Sequence, residues 1–271
     1  MTFEQIQETA EFIKSQLENL PEYGVILGSG LGGLTEAVAV TKELPYTLIP
    51  NFPQSTVEGH AGKLIFGTVG DKQVMMMAGR FHYYEGYDMQ EVTFPVRVMK
   101  ALGVHTLFVS NAAGGMNKDF RIGDIMFIKD HINLFPEHPL RGKNDTRLGT
   151  RFPDMSEPYS YDLLDKARAV AAAEGIPVQE GVYIGLQGPT FETRAEYYWL
   201  HVIGGDAVGM STVPEVIVAI HGGMKVFAAS IITDLGIREE LNTITHEEVL
   251  AAANEAAPKL AKIVSELIKS L

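Results

Sequence analysis

The chain is predicted to fold as an α/β protein with a mixed central β-sheet flanked by helices. Three observations carry that expectation. Apolar runs of strand length alternate with helical patterns over all 271 residues, which is the signature of helices layered on a sheet. Four of the apolar runs lead into short glycine-flanked polar segments: Gly28-Ser29-Gly30-Leu31-Gly32-Gly33, Gly79-Arg80-Phe81-His82, Asn111-Ala112-Ala113-Gly114-Gly115 and Gly209-Met210-Ser211-Thr212. Ligands in α/β proteins sit beyond the carboxyl ends of strands, and glycine there lets backbone N–H groups approach an anion. Finally, no repeat, low-complexity tract or Gly/Ser- or Pro-rich linker divides the chain, so one domain spanning 1–271 is expected.

In order along the chain, Phe3, Ile6, Ala10, Ile13 and Leu17 recur at helical spacing and predict an opening amphipathic helix over 3–19. Strands are predicted near 23–27, 64–69, 73–78, 104–110, 124–128, 179–186, 206–209 and 225–232. Helices are predicted near 90–102, 160–174, 192–203, 212–221 and 246–270. Ser211/Thr212 ahead of Pro214-Glu215 reads as a hydroxyl N-cap with proline in the first turn. Thr245-His246-Glu247-Glu248 reads as a capping box for the last helix, which Pro258 should kink. The stretch 131–159 has little periodicity and several prolines. It is too long for a plain connection and is expected to be a functional loop or an interface.

Composition narrows the function. The net charge of −12 argues against a broad nucleic-acid footprint, which needs a basic surface, but leaves room for a small anion held by a local donor cluster. The absence of cysteine excludes disulfides and thiolate metal sites. His105, His131, His138, His201 and His221 have no metal-ligand spacing, so no metal is expected. No signal-peptide pattern opens the chain and no apolar run approaches the roughly 20 residues of a membrane span. A soluble, cytoplasmic protein with neither nucleic-acid nor membrane partners is expected.

Each candidate constellation has a plain structural alternative. Gly28 to Gly33 matches G-x-G-x-x-G, but the acidic residue expected about 20 positions on is absent from Tyr46-Thr47-Leu48-Ile49-Pro50-Asn51. That weakens a nicotinamide dehydrogenase reading and leaves a phosphate-binding turn or a tight turn with no ligand. Arg80 and His82, two apart, share a face if the segment is extended, with Phe81 turned to the core. Arg offers a planar fork matched to phosphate; the alternative is a surface Arg and a satisfied His. Asn111-Ala112-Ala113 supplies small residues and a backbone donor at a strand end, or a bulge. Phe191-Glu192 pairs an aromatic face with a carboxylate acceptor, which suits a flat heterocycle, or marks a helix N-terminus. Asp234 ends an apolar run, as a proton donor or acceptor or as a turn residue before Gly236.

Taken in order, these segments resemble the purine nucleoside phosphorylases of the low-molecular-mass, trimeric class. The resemblance also rests on Glu58-Gly59-His60, Tyr83-Tyr84-Glu85-Gly86, Asp130-His131-Ile132-Asn133, Gly188-Pro189-Thr190-Phe191-Glu192-Thr193 and Val213-Pro214-Glu215, and spans nearly the whole chain. It implies phosphorolysis of a purine (deoxy)nucleoside to the free purine and (deoxy)ribose 1-phosphate. Inosine and guanosine are the implied substrates, with adenosine a further candidate. It implies a homotrimer acting in purine salvage with no cofactor, inorganic phosphate being a co-substrate. By the resemblance, Ser29, His60, Arg80, His82, Asn111, Ala112 and Ser211 match the phosphate site. Tyr84, Met210 and His246 match the sugar site, and Phe191, Glu192, Val208 and Asp234 the base site. His82, Glu192 and Asp234 are the implied catalytic residues, and Phe152 matches an aromatic that closes a neighbouring subunit's pocket. One departure stands out. Members specific for 6-oxopurines carry Asn where this chain has Asp234, and the related methylthioadenosine phosphorylases carry Asp. An ionised Asp accepts from a 6-amino group, and only a protonated one donates to N7. Methylthioadenosine phosphorylase is therefore the alternative reading. A non-catalytic nucleoside sensor on the same fold is a rival of another class, although it would not need the full set of phosphate donors.

Overall fold

In the computed structural model, residues 1–28, 32–56, 61–237 and 245–271 are described below. The strands are β1 (Tyr23–Ile26), β2 (Ala39–Pro45), β3 (Lys63–Val69), β4 (Lys72–Ala78), β5 (Thr106–Gly115), β6 (Ile125–Asn133), β7 (Gln179–Gly185), β8 (Ala207–Gly209) and β9 (Lys225–Leu235). The helices are α1 (Phe3–Lys14), α2 (Met89–Leu102), α3 (Tyr161–Ala173), α4 (Arg194–Val202), α5 (Val213–His221) and α6 (His246–Lys269). All the predicted strands and helices are present. The strand missed in the sequence, β2, has one buried residue in seven, Leu44. An edge strand of that kind has no apolar run to betray it.

One mixed sheet runs in the order β2-β3-β4-β1-β5-β8-β7-β6-β9, and β9 also pairs with β5. The extra pairing closes β5, β8, β7, β6 and β9 into a ring. Strand β5 is the hinge of this arrangement. One of its edges is taken by β9, in parallel register from Thr106 opposite Lys225 to Gly115 opposite Leu235. The other edge is shared: β1 covers Thr106 to Val109 and β8 covers Gly114 and Gly115. Between them, residues 110–113 lie where the sheet forks. A fork of this kind is the switch point at which α/β sheets bind ligands.

The prediction that β5 ends at 110 is corrected by this register: Asn111 to Gly115 continue the strand. Small side chains are needed there because other parts come close. A Cβ on Gly28 would stand 2.7 Å from Asn111 Cα, and one on Gly114 would stand 2.9 Å from the Tyr197 hydroxyl.

Apart from α4, the helices form two groups. α2 packs on α1 and α5, and α6 packs on β9, α3 and the 3-10 turn of Gly32–Ala37. That turn is a single short stretch and not the α-helix that a dinucleotide fingerprint opens. The last helix has the predicted capping box, Thr245 Oγ1 accepting from the Glu248 N–H at 3.2 Å, and continues through Pro258 to Lys269. Outside β6, residues 134–159 form neither helix nor strand, in line with their lack of periodicity. Among the described residues, no helix is long and apolar enough to cross a membrane.

Candidate active site

A cavity of about 580 Å³ opens at the fork in the sheet. Its wall draws on β5 (Asn111, Ala112, Ala113, Gly114), the turn after β4 (Arg80, His82, Tyr84), β8 and its following turn (Val208, Met210, Ser211), the segment before α4 (Phe191, Glu192), the end of β9 (Thr233, Asp234) and the first turn of α6 (His246). Segments spread over more than 160 positions of sequence thus meet at one place.

The first cluster is built around Arg80, which is buried with only 1% of its surface exposed. Its Nε donates to Glu215 Oε1 at 2.9 Å, and its Nη1 lies 2.9 Å from both the Ser110 carbonyl oxygen and Ser211 Oγ. Glu215 sits in the first turn of α5, so the helix brings the anion that holds the guanidinium in place. Asn111 Nδ2 donates to Thr212 Oγ1 at 2.8 Å, which ties β5 to the same turn. Thr212 has φ 72° and ψ −56°, and the Val213 N–H reaches back to the Ser211 carbonyl at 2.8 Å. That is a tight three-residue turn which a β-branched residue adopts only under strain. The prediction of a hydroxyl N-cap is corrected here: the Thr212 side chain makes no cap bond to α5 and accepts from Asn111 instead.

His82 adjoins this cluster. Its extended backbone (φ −121°, ψ 150°) alternates as predicted: Phe81 packs into the aromatic group of Tyr46, Phe52 and Tyr87, while Arg80 and His82 face the cavity. His82 Nδ1 is 2.9 Å from Glu85 Oε1, and the ring stacks on Tyr84 at 4.7 Å. Burial alone would raise the Glu85 carboxyl. Hydrogen bonds from the His82 ring, from the Thr56 hydroxyl and backbone, and from the His82 backbone outweigh it and hold the pKa near about 2. A carboxylate so held keeps the proton of His82 on Nδ1 and turns Nε2 away from it. Burial and the neighbouring Glu85 charge push the Tyr84 hydroxyl up to about 12.

The second cluster lies where Gly114 pairs with Asp234. The Tyr197 hydroxyl donates to Asp234 Oδ2 at 3.1 Å and also bonds the Glu192 side chain. Thr233 Oγ1 lies 3.2 Å from Asp234 Oδ1. Burial, with the Asp234 charge adding to it, pushes the Glu192 carboxyl up. Asp234 is buried within β9, which sets aside the turn-residue reading. Phe191 and Val208 supply apolar wall, and Met210 lies against Gly188, where a Cβ would come within 2.2 Å of its sulfur. From Asn111 to Gly114 is three residues of strand, about 10 Å. The two clusters are thus spaced along one rigid strand by about the length of a nucleoside.

Of the predicted site residues, Arg80, His82, Tyr84, Asn111, Ala112, Phe191, Glu192, Val208, Met210, Ser211, Asp234 and His246 all line this one cavity. Ser29 and His60 lie outside the described residues. Phe152 is elsewhere: its ring is 86% exposed and borders a separate surface depression with Arg151, Pro153 and Met155. Four neighbours escaped the sequence reading. Glu85 and Glu215 stand inside quoted motifs, and their spacing from His82 and Ser211 was the available signal. Thr56 and Tyr197 had none, because only folding brings them to the site.

Fold and site together define a phosphorylase. Residues 22–269 match the model of the phosphorylase superfamily. The purine nucleoside phosphorylase of Rattus norvegicus is 52% identical, with 100% of this chain aligned to 96% of that protein. Purine nucleoside phosphorylase 1 of Geobacillus stearothermophilus is 50% identical over 98% of this chain and 97% of its own length. The crystal structure of Schistosoma mansoni purine nucleoside phosphorylase in complex with adenosine superposes with a TM-score of 0.95 at 44% identity, covering 100% of this chain and 98% of that one. The chain belongs to the phosphorylase superfamily and, within it, to the purine nucleoside phosphorylases.

Proposed function

We propose that this protein cleaves the glycosidic bond of purine (deoxy)nucleosides with inorganic phosphate, releasing the free purine and (deoxy)ribose 1-phosphate. The observation that carries the reading is the pair of clusters on β5, a buried cation with hydroxyl and amide donors at one and two carboxyl groups beside an aromatic at the other. Inosine, guanosine and adenosine are the substrates we assign. The Schistosoma enzyme has been crystallised with adenosine, inosine and guanosine.

The chemistry divides along the cavity. Bond cleavage builds positive charge on the sugar and negative charge on the departing purine. Arg80, His82, Asn111, the Ala112 N–H and Ser211 hold the phosphate beneath the sugar, where its charge stabilises the cation before it attacks the anomeric carbon. Ser29 and His60 join them in this assignment. Tyr84, Met210 and His246 enclose the sugar, with His246 toward the 5′-hydroxyl. Phe191 and Val208 flank the base, and Glu192 and Asp234 bond its edge. All of this is positioning and fixed electrostatics, and it calls for no metal or organic cofactor. We assign the enzyme to purine salvage in the cytoplasm, as a homotrimer in which Phe152 closes the pocket of the adjacent subunit.

Purified protein given inosine should release hypoxanthine only when phosphate is added; release independent of phosphate, or none, overturns the assignment. Asp234 is the one observation that favours methylthioadenosine as substrate. A panel of inosine, guanosine, adenosine and methylthioadenosine decides, since a preference for methylthioadenosine over all three nucleosides replaces our reading with that one.

A further inference from the structure

We propose that Tyr197 is a positioning residue that sets base specificity, by fixing Asp234 as a hydrogen-bond acceptor and so ranking 6-aminopurines above 6-oxopurines. The inference rests on the assignment of this cavity to a purine and goes beyond it in naming what reads the purine's 6-position.

A tyrosine hydroxyl has a single proton, and Tyr197 stands between two carboxyl groups. Its hydroxyl donates to Asp234 Oδ2 at 3.1 Å, and the Glu192 carboxyl lies against the same hydroxyl oxygen. Thr233 Oγ1 lies 3.2 Å from Oδ1 and 3.3 Å from the Ala113 carbonyl oxygen, and its single proton is shared between the two. The Tyr197 hydroxyl on the protein side leaves Asp234 facing the base as an acceptor. A carboxylate has about four acceptor positions, so one further N–H from a base can be added. An exocyclic amino group provides that N–H. A 6-oxo group presents lone pairs to lone pairs, and the mismatch leaves a buried acceptor facing a buried acceptor.

The placement of Tyr197 is itself built. The ring is 2% exposed and lies in a slot left by two glycines. A Cβ on Gly236 would stand 2.0 Å from its Cδ1, and one on Gly114 would stand 2.9 Å from its oxygen and 3.0 Å from Asp234 Oδ2. Gly236 is held in turn by its N–H to the Gly115 carbonyl at 2.9 Å. The hydroxyl therefore has little freedom to swing from Asp234. Glu192 lies against the same hydroxyl, and burial, with the Asp234 charge adding to it, pushes its carboxyl up.

Binding of free adenine and free hypoxanthine, measured by titration calorimetry, tests this without turnover. The full-length wild type should bind adenine more tightly. Tyr197→Phe, which keeps the ring and its packing, should cut the adenine-to-hypoxanthine affinity ratio by about tenfold. In an Asp234→Asn background, where the amide can present a donor, the same change should move the ratio by less than about twofold. A wild type that prefers hypoxanthine, a single variant with an unchanged ratio, or an equal shift in both backgrounds overturns the proposal. If the ratios behave as expected but no nucleoside is cleaved with phosphate, the phosphorylase assignment fails while Tyr197 keeps its role in reading the base.

Discussion

Arg80 and Glu215 form an ion pair with side-chain exposures of 2% and 4%, and a pair so deep is a liability if half of it is removed. Arg80→Met should lower stability by about 3–5 kcal/mol, because Glu215 is then a buried charge without its cation. Adding Glu215→Met should restore much of that stability but none of the activity, since the phosphate donor we assign is still missing. Urea unfolding and phosphate saturation kinetics of the two variants check both halves. Glu85 makes a pH prediction. Its folded pKa, near about 2, lies below the unfolded value of about 4.3, so its stabilising contribution is present above the unfolded value and is lost as pH falls through the folded one. Glu85→Gln should therefore be less stable than wild type at pH 6, and the gap in denaturation midpoint should narrow as pH drops from about 4.5 toward 2. At this scale the sequence was informative about residue type and silent about partners. The Arg80-Phe81-His82 alternation follows from a period of two. The Arg80–Glu215 contact joins residues 135 positions apart and has no local pattern.

The turn from β8 into α5 shows an element whose shape the site dictates. Thr212 is held at φ 72° and its hydroxyl serves Asn111 on β5. Two substitutions separate the strain from the bond. Thr212→Gly relieves a conformation worth about 1–3 kcal/mol but loses the hydroxyl. Thr212→Val keeps the strain and loses the hydroxyl, leaving Asn111 Nδ2 without its partner. Thermal unfolding should rank Val clearly below Gly, with Gly within about 1 kcal/mol of wild type. Both should lower kcat/KM through the loosened Asn111 and Ser211. A Gly variant less stable than the Val variant would show that the turn is not strained. The sequence marked this helix start correctly through Pro214 but misread the job of the hydroxyl. Local spacing cannot show that a residue 101 positions away competes for it.

At the scale of the whole molecule, the Phe152 ring stands 86% exposed on the irregular stretch of residues 134–159. In the trimer we propose, Phe152→Ala should leave the oligomer intact by light scattering. It should lower kcat/KM for nucleoside by roughly tenfold, the equivalent of one aromatic contact of about 1.4 kcal/mol. The KM for phosphate, whose assigned donors all belong to the chain itself, should change less. A monomer in solution, or an unchanged kcat/KM, removes the proposed role of Phe152.

What the amino-acid sequence determined by itself was the set of parts. Among the described residues, apolar patterning anticipated eight of the nine strands and all six helices, because burial of one face imposes a period that survives in the order of residues. Three of the four glycine-flanked polar segments meet at the cavity in the fork of the sheet. What only the tertiary structure decided was which parts touch. β5 pairs with β1, β8 and β9 and opens a fork at residues 110–113. Tyr197 arrives beside Asp234, and Glu215 beneath Arg80. Those contacts depend on sheet order and on slots cleared by particular glycines. Neither leaves a trace in spacing along the chain, because pairing across a sheet is set by the packing of the whole and not by near neighbours in sequence.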